Sequence, residues 1–316
     1  MANTQYQVYE RQFTDTLTHL IETGDRPYLI DAMTVDTDIK GQTKLYKYIG
    51  TLGYQKKTGR NEIAILDEPD YSSRHMQVGT YYSAPVVDAE DTLRMVQDPK
   101  ADIYQEAIRA INSAKTAVAM NGFFDTYLTN EDASGTSTFD TTNNRIADTY
   151  SGGTFGQNSG AASVGLNIDK LLAVRLKAAN NQVIVSRENP LHIAVSEADV
   201  QALLGGKIGS DNYPAVDRFN AMQLQLERAM DNTADNTFSW LNFMFHVVPV
   251  EFFLTTSSKR RLPVWQKDGM VFGIAKDIEG SVEKLPNTVE SVKMQALTRV
   301  GSMRKHDKKV YEILVA

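Results

Sequence analysis

The chain has 316 residues, of which 42% are hydrophobic and 23% charged, and a formal net charge of -6, values typical of a folded globular protein. The acidic balance argues against a strongly basic nucleic-acid-binding protein, and the absence of cysteine excludes disulfides and thiolate chemistry. No apolar run approaches the length of about 18 residues that a membrane-spanning helix needs, and the polar N-terminus lacks the pattern of a secretory signal.

Residues 1–42 begin the chain as an arm-like segment. Apolar side chains at helical spacing between Val8 and Ile21 predict a short amphipathic helix, and residues 24–41 are expected to be extended. From composition alone, an ordinary first helix and strand explains this segment equally well.

Residues 43–85 carry two β-type runs around a polar, turn-rich tip. In the first run, the alternation places Tyr46, Tyr48 and Tyr54 on one face. A long hairpin with many tyrosines and few aliphatic side chains is only marginally stable in water by itself. It must therefore lie on its own domain or on a neighbouring chain.

The longest predicted helix covers residues 98–128. Asp98 is a suitable N-cap, and Pro99 suits the first helical position because its missing N–H has no helical partner there. Gly122 is the residue at which the helix could bend or end early. The apolar stripe predicted to form the core face of this helix contains Ile103, Ala107, Ile111 and Val118.

The second half of the chain reads as an α/β mixture after a loop at residues 130–163, which is rich in Ser, Thr, Gly and Asn and has a weak hairpin predicted around residues 136–142. Helices are predicted from Asn167, from the capping box at residues 196–199, across residues 219–230 and at residues 268–276. Strands are predicted at residues 183–186, at residues 191–195 and, as an antiparallel pair, at residues 288–304 and 309–315.

Three stretches carry a resemblance to a known family: VYERQF near the N-terminus, GRNEIAILDEPDYSSRHMQVGTYYSAPVVDAEDTLRMVQDPKADI in the middle, and VWQKDGMVFGIAKDI near the C-terminus. From about Val8 to Val315 the chain resembles the major capsid proteins of tailed bacteriophages with the HK-97-like fold. It departs from relatives in carrying Gln266 where they often place His, and in a longer Ser/Thr/Gly insertion after the long helix.

The resemblance implies an α+β capsid fold with an N-terminal arm (1–42), an extended β-hairpin loop, the E-loop (43–85), a peripheral domain with a long spine helix (86–164), an axial domain (165–285) and C-terminal strands of the peripheral domain (286–316). The E-loop would then overlap a neighbouring subunit. The arm side chains expected to make this contact are Tyr46, Tyr48, Tyr54, Lys56, Lys57 and Arg60. Some relatives form isopeptide bonds, but no residue here identifies a partner for Lys56 or Lys57.

Motifs for catalysis are missing from the sequence. There is no nucleophile elbow, phosphate-binding loop or dinucleotide fingerprint, and the five histidines are far apart in sequence without metal-ligand spacing. Two acidic clusters fall in turn-like segments, where solvation or contact with a neighbour explains them better than acid–base catalysis. Their members are Asp67, Glu68 and Asp70, and Asp88, Glu90 and Asp91.

A basic group near the C-terminus could contact packaged DNA through phosphates or pair with an acidic segment of a neighbour. Its members are Lys293, Arg299, Arg304, Lys305, Lys308 and Lys309. A second basic turn at residues 259–261 has the same two interpretations.

Taken with the resemblance, these patterns predict a structural protein without a cofactor, metal or enzymatic activity. It would assemble with itself into hexamers and pentamers of an icosahedral shell around double-stranded DNA, in the host cytoplasm and then in the virion. Expected partners are a portal, a separate scaffolding protein and a decoration protein, with non-specific DNA contact and no membrane. The alternatives are the shell of a bacterial nanocompartment of the same fold, or an α/β enzyme or small-molecule-binding domain.

Overall fold

A computed structural model of the chain describes residues 27–50, 52–54, 56–57, 59–60, 68–87, 100–150, 165–205, 237–285 and 291–316. The helices in these ranges are α1 (Lys100–Gly122), α2 (Ile168–Asn180) and α3 (Glu197–Gly205). The strands are β1 (Thr34–Asp36), β2 (Thr43–Ile49), β3 (Tyr71–Gln77), β4 (Gly79–Ser83), β5 (Val86–Val87), β6 (Tyr127–Thr129), β7 (Gly135–Ser137), β8 (Arg145–Ile146), β9 (Leu191–Val195), β10 (Thr237–Trp240), β11 (Phe243–Val247), β12 (Thr255–Thr256), β13 (Lys259–Gln266), β14 (Met270–Lys284), β15 (Val292–Arg304) and β16 (Val310–Val315).

These strands form three sheets. The spine sheet has the order β1-β14-β15-β4, with β5 paired to β15. The large sheet has the order β10-β11-β9-β13-β16-β8, with β12 paired to β13. The arm sheet has the order β2-β3-β6-β7. Helices segregated beside mainly antiparallel sheets are the arrangement of the predicted α+β class.

The long helix α1 lies on the spine sheet and joins two packed clusters. Ala107 and Ile111 pack against Ala296 of β15, whereas Val118 belongs to the main core. Of the predicted stripe, Ala107, Ile111 and Val118 are buried and Ile103 is half buried.

The helix ends earlier than predicted, at Gly122 rather than residue 128. A Cβ at Gly122 would collide with the Ser302 side chain of β15, so glycine allows the last turn to cross the sheet closely. The chain then turns, and Tyr127–Thr129 forms β6 of the arm sheet. The predicted N-terminal cap lies outside the described residues.

The helix predicted at residues 268–276 is also wrong, because a short 3-10 turn at Lys267–Gly269 leads directly into β14. Val271 packs in a cluster with Met76, and the neighbouring Phe272 packs in the main core. Both faces of this part of the strand are covered. Its continuous apolar run therefore lacks the alternation that distinguishes a strand from a buried helix.

The two C-terminal strands exist, but their predicted antiparallel pairing is wrong. β15 pairs with β14 and β4, whereas β16 pairs with β13 in the large sheet. A turn between them crosses from one sheet to the other, and its amides at Lys305 and His306 donate to Gly269 O at 2.8 and 3.1 Å. Alternation alone predicts a strand and does not identify the sheet to which it belongs.

The large sheet and α2 enclose most of the main core. The predicted cap of α2 is confirmed, since Asn167 Oδ1 accepts from Lys170 N at 2.8 Å. The capping box of α3 is confirmed, since Asp199 Oδ2 accepts from Ser196 N at 3.0 Å. The strand at residues 191–195 is confirmed as β9, whereas residues 183–186 form no strand. The helices predicted at the N-terminus and at residues 219–230 lie outside the described residues.

The predicted arm hairpin is observed as β2 and β3, which pair from Thr43 opposite Gln77 to Ile49 opposite Tyr71. The second run of the prediction is divided between two sheets, because β3 stays in the arm while β4 pairs with β15. The hairpin predicted around residues 136–142 occurs slightly earlier, as the β6–β7 pair.

Candidate assembly surfaces

The inner face of the arm packs on its own chain. Tyr46 donates its hydroxyl hydrogen to the Asp36 carboxylate, and Lys44 Nζ lies 2.9 Å from Asp36 Oδ1. Tyr46 also packs beside the cluster that contains Met76. Burial and the hydrogen bond to Asp36 raise the pKa of Tyr46 above its ordinary value.

Tyr48 lies on the same inner face. Its ring meets the His306 ring edge-on, with 5.6 Å between the ring centroids. Its hydroxyl is buried without a hydrogen-bond partner among the described residues, and burial raises its pKa to about 12. Of the two alternatives that the sequence left open, Tyr46 and Tyr48 therefore follow the first and pack on their own domain, although contact of either side chain with a neighbour stays a prediction.

A buried ionic network holds the root of the arm. Arg74 of β3 donates through Nη1 to Asp307 Oδ1 and to Arg304 O, each at 3.0 Å, and through Nη2 to Asp307 Oδ2. Burial acts to raise the pKa of Asp307, but the hydrogen bonds and charges of Arg74 and Arg304 hold it below its ordinary value. The bidentate geometry sets both the position and the direction of Arg74.

Arg304 links this network to the end of α1. Its Nε donates to Asp307 Oδ1 at 3.0 Å, and its Nη1 donates to Phe123 O at 2.7 Å and Asp125 O at 3.0 Å. The guanidinium carbon lies 4.9 Å from the centre of the Tyr127 ring, and the side chain is fully buried. The arm root, the spine helix and the turn after β15 therefore form one packed unit.

The outer face of the arm and the described residues of its tip are exposed. Ile49 and Tyr71 are direct cross-strand partners that leave 67% and 74% of their surface open, and Tyr54 leaves 96%. Leu52 is exposed beside them. The basic side chains Lys56, Lys57 and Arg60 are exposed and make no ion pair with the described residues. This combination of exposed apolar surface and unpaired positive charge is typical of an interaction site.

The sequence matches one family of known proteins along almost its whole length. A family described as "Phage capsid protein" matches residues 5–316. The chain belongs to this family. No curated protein matches the chain at a significant level.

Solved capsid structures share the fold of this capsid protein. The asymmetric unit of the cyanophage Pam1 capsid matches with a TM-score of 0.67 and 12% identity, covering 100% of this chain and 99% of that one. The capsid of Ralstonia phage GP4 matches with a TM-score of 0.68 and 10% identity, covering 97% and 95%. The capsid of a native GTA particle matches with a TM-score of 0.64 and 10% identity, covering 96% and 94%. The predicted HK-97-like fold is thus confirmed, and family and fold together support the major capsid protein of a tailed phage.

One pair of histidines that lie side by side in the capsid protein was not predicted from the sequence. His192 Nδ1 and His246 Nε2 lie 3.0 Å apart, and both rings stack near Trp265. The parallel pairing of β9 with β11 brings them together across 54 residues of sequence, which spacing alone does not reveal. Burial lowers the pKa to about 4 for His192 and about 3 for His246. Both rings are therefore neutral near pH 7.

The described part of the capsid protein contains no group of three or more side chains placed to hold a metal ion. None of its described helices is long and apolar enough to span a membrane. The family and fold are those of a structural protein rather than an enzyme. The acidic side chains predicted at residues 67 and 88–91 lie outside the described residues.

The basic residues near the C-terminus do not form one patch. Arg304 is buried and bound to Asp307, and Lys309 pairs with Asp268. Arg299 and Lys308 are exposed, whereas Lys293 and Lys305 are half buried. In the second basic turn, Lys259 pairs with Asp148, Arg260 with Asp199 and Arg261 with the buried Glu312. Most of these charges therefore have intrachain carboxylate partners, which leaves few to contact phosphates.

Proposed function

We propose that this capsid protein builds a closed icosahedral shell of hexamers and pentamers around double-stranded DNA, with the arm joining neighbouring subunits. The observation that carries the proposal is the asymmetry of the arm. Its inner face is bound to its own chain through Tyr46, Tyr48 and Arg74, while the outer face and tip expose apolar and basic side chains.

The contact set that we propose keeps Tyr54, Lys56, Lys57 and Arg60 of the sequence prediction and adds Ile49 and Tyr71. A tyrosine gives a large apolar surface with a polar end at low entropic cost, which suits a contact between the subunits of a shell. Repeated head-to-tail contacts of this kind close into rings when the rotation between subunits permits.

The proposed domains follow the resemblance: N-terminal arm 1–42, E-loop 43–85, peripheral domain 86–164, axial domain 165–285 and C-terminal strands 286–316. β16 lies in the large sheet between β13 of the proposed axial domain and β8 of the proposed peripheral domain, so the last segment would connect the two domains.

The shell would form in the host cytoplasm and remain as the virion capsid, without enzymatic activity of its own. We propose a portal, a separate scaffolding protein and a decoration protein as partners. Contact with packaged DNA would be non-specific and would involve the exposed Arg299 and Lys308.

Negative-stain electron microscopy of the expressed chain, alone and with neighbouring head genes, tests this proposal. Rings or shells of uniform size support it. A small discrete species under both conditions would favour a binding domain or an enzyme, and shells enclosing cargo protein instead of DNA would favour a nanocompartment.

A further inference from the structure

A cavity of about 540 Å³ opens beside β1, between the 3-10 turn at residues 267–269 and the loop at residues 188–190. We call it the acidic notch. Val35 and Pro190 supply accessible apolar surface, and the buried side chains of Met33 and His192 complete the lining. Its volume is within the range of about 300–1,000 Å³ that is usual for ligand pockets.

The rim of the notch is mainly acidic. Asp31, Glu188 and Asp268 line it, against one basic lining residue, Lys267. Asp268 is paired with Lys309, whereas Asp31 and Glu188 are exposed and make no ion pair with the described residues. Two carboxylates are thus available at the mouth of a cavity with an apolar wall.

The arm tip has the complementary chemistry. Leu52 and Tyr54 are exposed apolar or aromatic side chains, and Lys56 and Lys57 follow them within a few residues without ion pairs to the described part of the chain. Tyr54 has almost its whole surface open and so does not fill the notch of its own chain. Charge complementarity of this kind favours one orientation of two surfaces and suppresses others.

We propose that the acidic notch receives the arm tip of a second copy of the chain, with Tyr54 entering the cavity and Lys56 and Lys57 pairing with Asp31 and Glu188. The inference rests on the proposed function, in which arms join copies, and adds the surface to which each arm binds. The contact is heterologous, because the tip and the notch are different surfaces of one subunit.

Cysteine cross-linking between copies tests this, and the chain has no cysteine of its own to interfere. One chain carries Tyr54→Cys, and a differently tagged chain carries Val35→Cys at the notch. The two are co-assembled and exposed to a mild oxidant. A disulfide needs Cα atoms within about 7 Å, so the cross-link reports a direct contact. The expected result is a shift of both tags into one dimer band.

The matched control replaces Val35→Cys with Val282→Cys, another exposed valine on the spine sheet. Val35 pairs with Phe272, and Val282 lies ten residues further along β14, a distance of at most about 33 Å along the strand, which has bulges in between. Tyr54→Cys with Val282→Cys should remain monomeric on the gel. If Val35→Cys disturbs folding, Ile184→Cys serves instead, because the Ile184 carbonyl accepts from the notch residue Gln266 and its side chain is exposed.

The outcomes separate the two proposals. Particles that assemble without the dimer band would overturn the tip-in-notch contact and leave shell formation standing. An intrachain cross-link in a chain carrying both cysteines, without dimers, would show that the tip binds its own notch and would also overturn it. Wild-type and variant chains that never form particles would overturn the proposed function itself.

Discussion

At the scale of single residues, Arg74 is the side chain on which the arm root depends most. It makes three hydrogen bonds across the boundary between arm and body, two to Asp307 and one to Arg304 O. Asp307 is shared with the buried Arg304, so the two arginines depend on one carboxylate.

Replacing Arg74→Gln should lower the free energy of unfolding by about 2 kcal/mol, because charge-assisted hydrogen bonds in a largely buried site are lost. Chemical denaturation of the unassembled chain measures this. The control is Lys47→Gln, which breaks an exposed ion pair with Glu131 and should have little effect. Equal effects of the two substitutions would show that the network does not hold the arm.

The histidine pair makes stability depend on pH. The pKa values of His192 and His246, about 4 and about 3, lie below the ordinary value of 6.5, so the unfolded chain binds protons first as pH falls. The free energy of unfolding should therefore decrease as the pH drops below 6.5. The decrease is up to about 1.4 kcal/mol per histidine for each pH unit, until the pKa values of the folded state are reached. Denaturation at pH 7 and pH 5 measures the loss. The double variant His192→Phe, His246→Phe should lose clearly less stability between pH 7 and pH 5. An equal loss of stability in the two proteins would show that the histidine pair is not its cause.

At the scale of elements, the helix α1 contributes to the stability of the subunit through the face that packs against the spine sheet. Ile111 is buried against Ala296, whereas the adjacent Ala110 is exposed. Ile111→Asp would bury an unpaired carboxyl group, which costs about 2–7 kcal/mol even when the group takes up a proton and becomes neutral. We expect insoluble or unfolded protein from Ile111→Asp and near wild-type melting from Ala110→Asp. Soluble Ile111→Asp protein with unchanged melting would show that this face is not core.

Elements with a local signal were predictable. The caps of α2 and α3, the β9 strand and the apolar stripe of α1 follow from side chains within one or two turns. The predictions were wrong where contacts between residues far apart in the sequence determine the structure. Gly122 ends α1 close to Ser302, and β14 is covered on both faces. Likewise, sequence alternation placed the tyrosines on one face of the arm but could not show that this face meets His306 and Asp36.

At the scale of the whole molecule, the arm has one face for its own chain and another that remains exposed. The inner face contributes to the stability of the subunit through Tyr48 and Arg74. The outer face, with Ile49 and Tyr71, contributes little to that stability because most of its surface is exposed to solvent. Folding and assembly should therefore be separable by substitutions on opposite faces of one hairpin.

The most direct measurement compares Tyr71→Asp with Tyr48→Asp, using melting of the unassembled chain and electron microscopy of particles. Tyr71→Asp should keep wild-type melting and lose shells, since a charge in an intersubunit contact costs about 2 kcal/mol or more at each repeat. Tyr48→Asp should lower the melting temperature, because it removes the half-buried ring that packs on His306 and puts a carboxylate in its place, near both Arg74 and Asp307. Normal shells from Tyr71→Asp, or wild-type melting of Tyr48→Asp, would contradict the account.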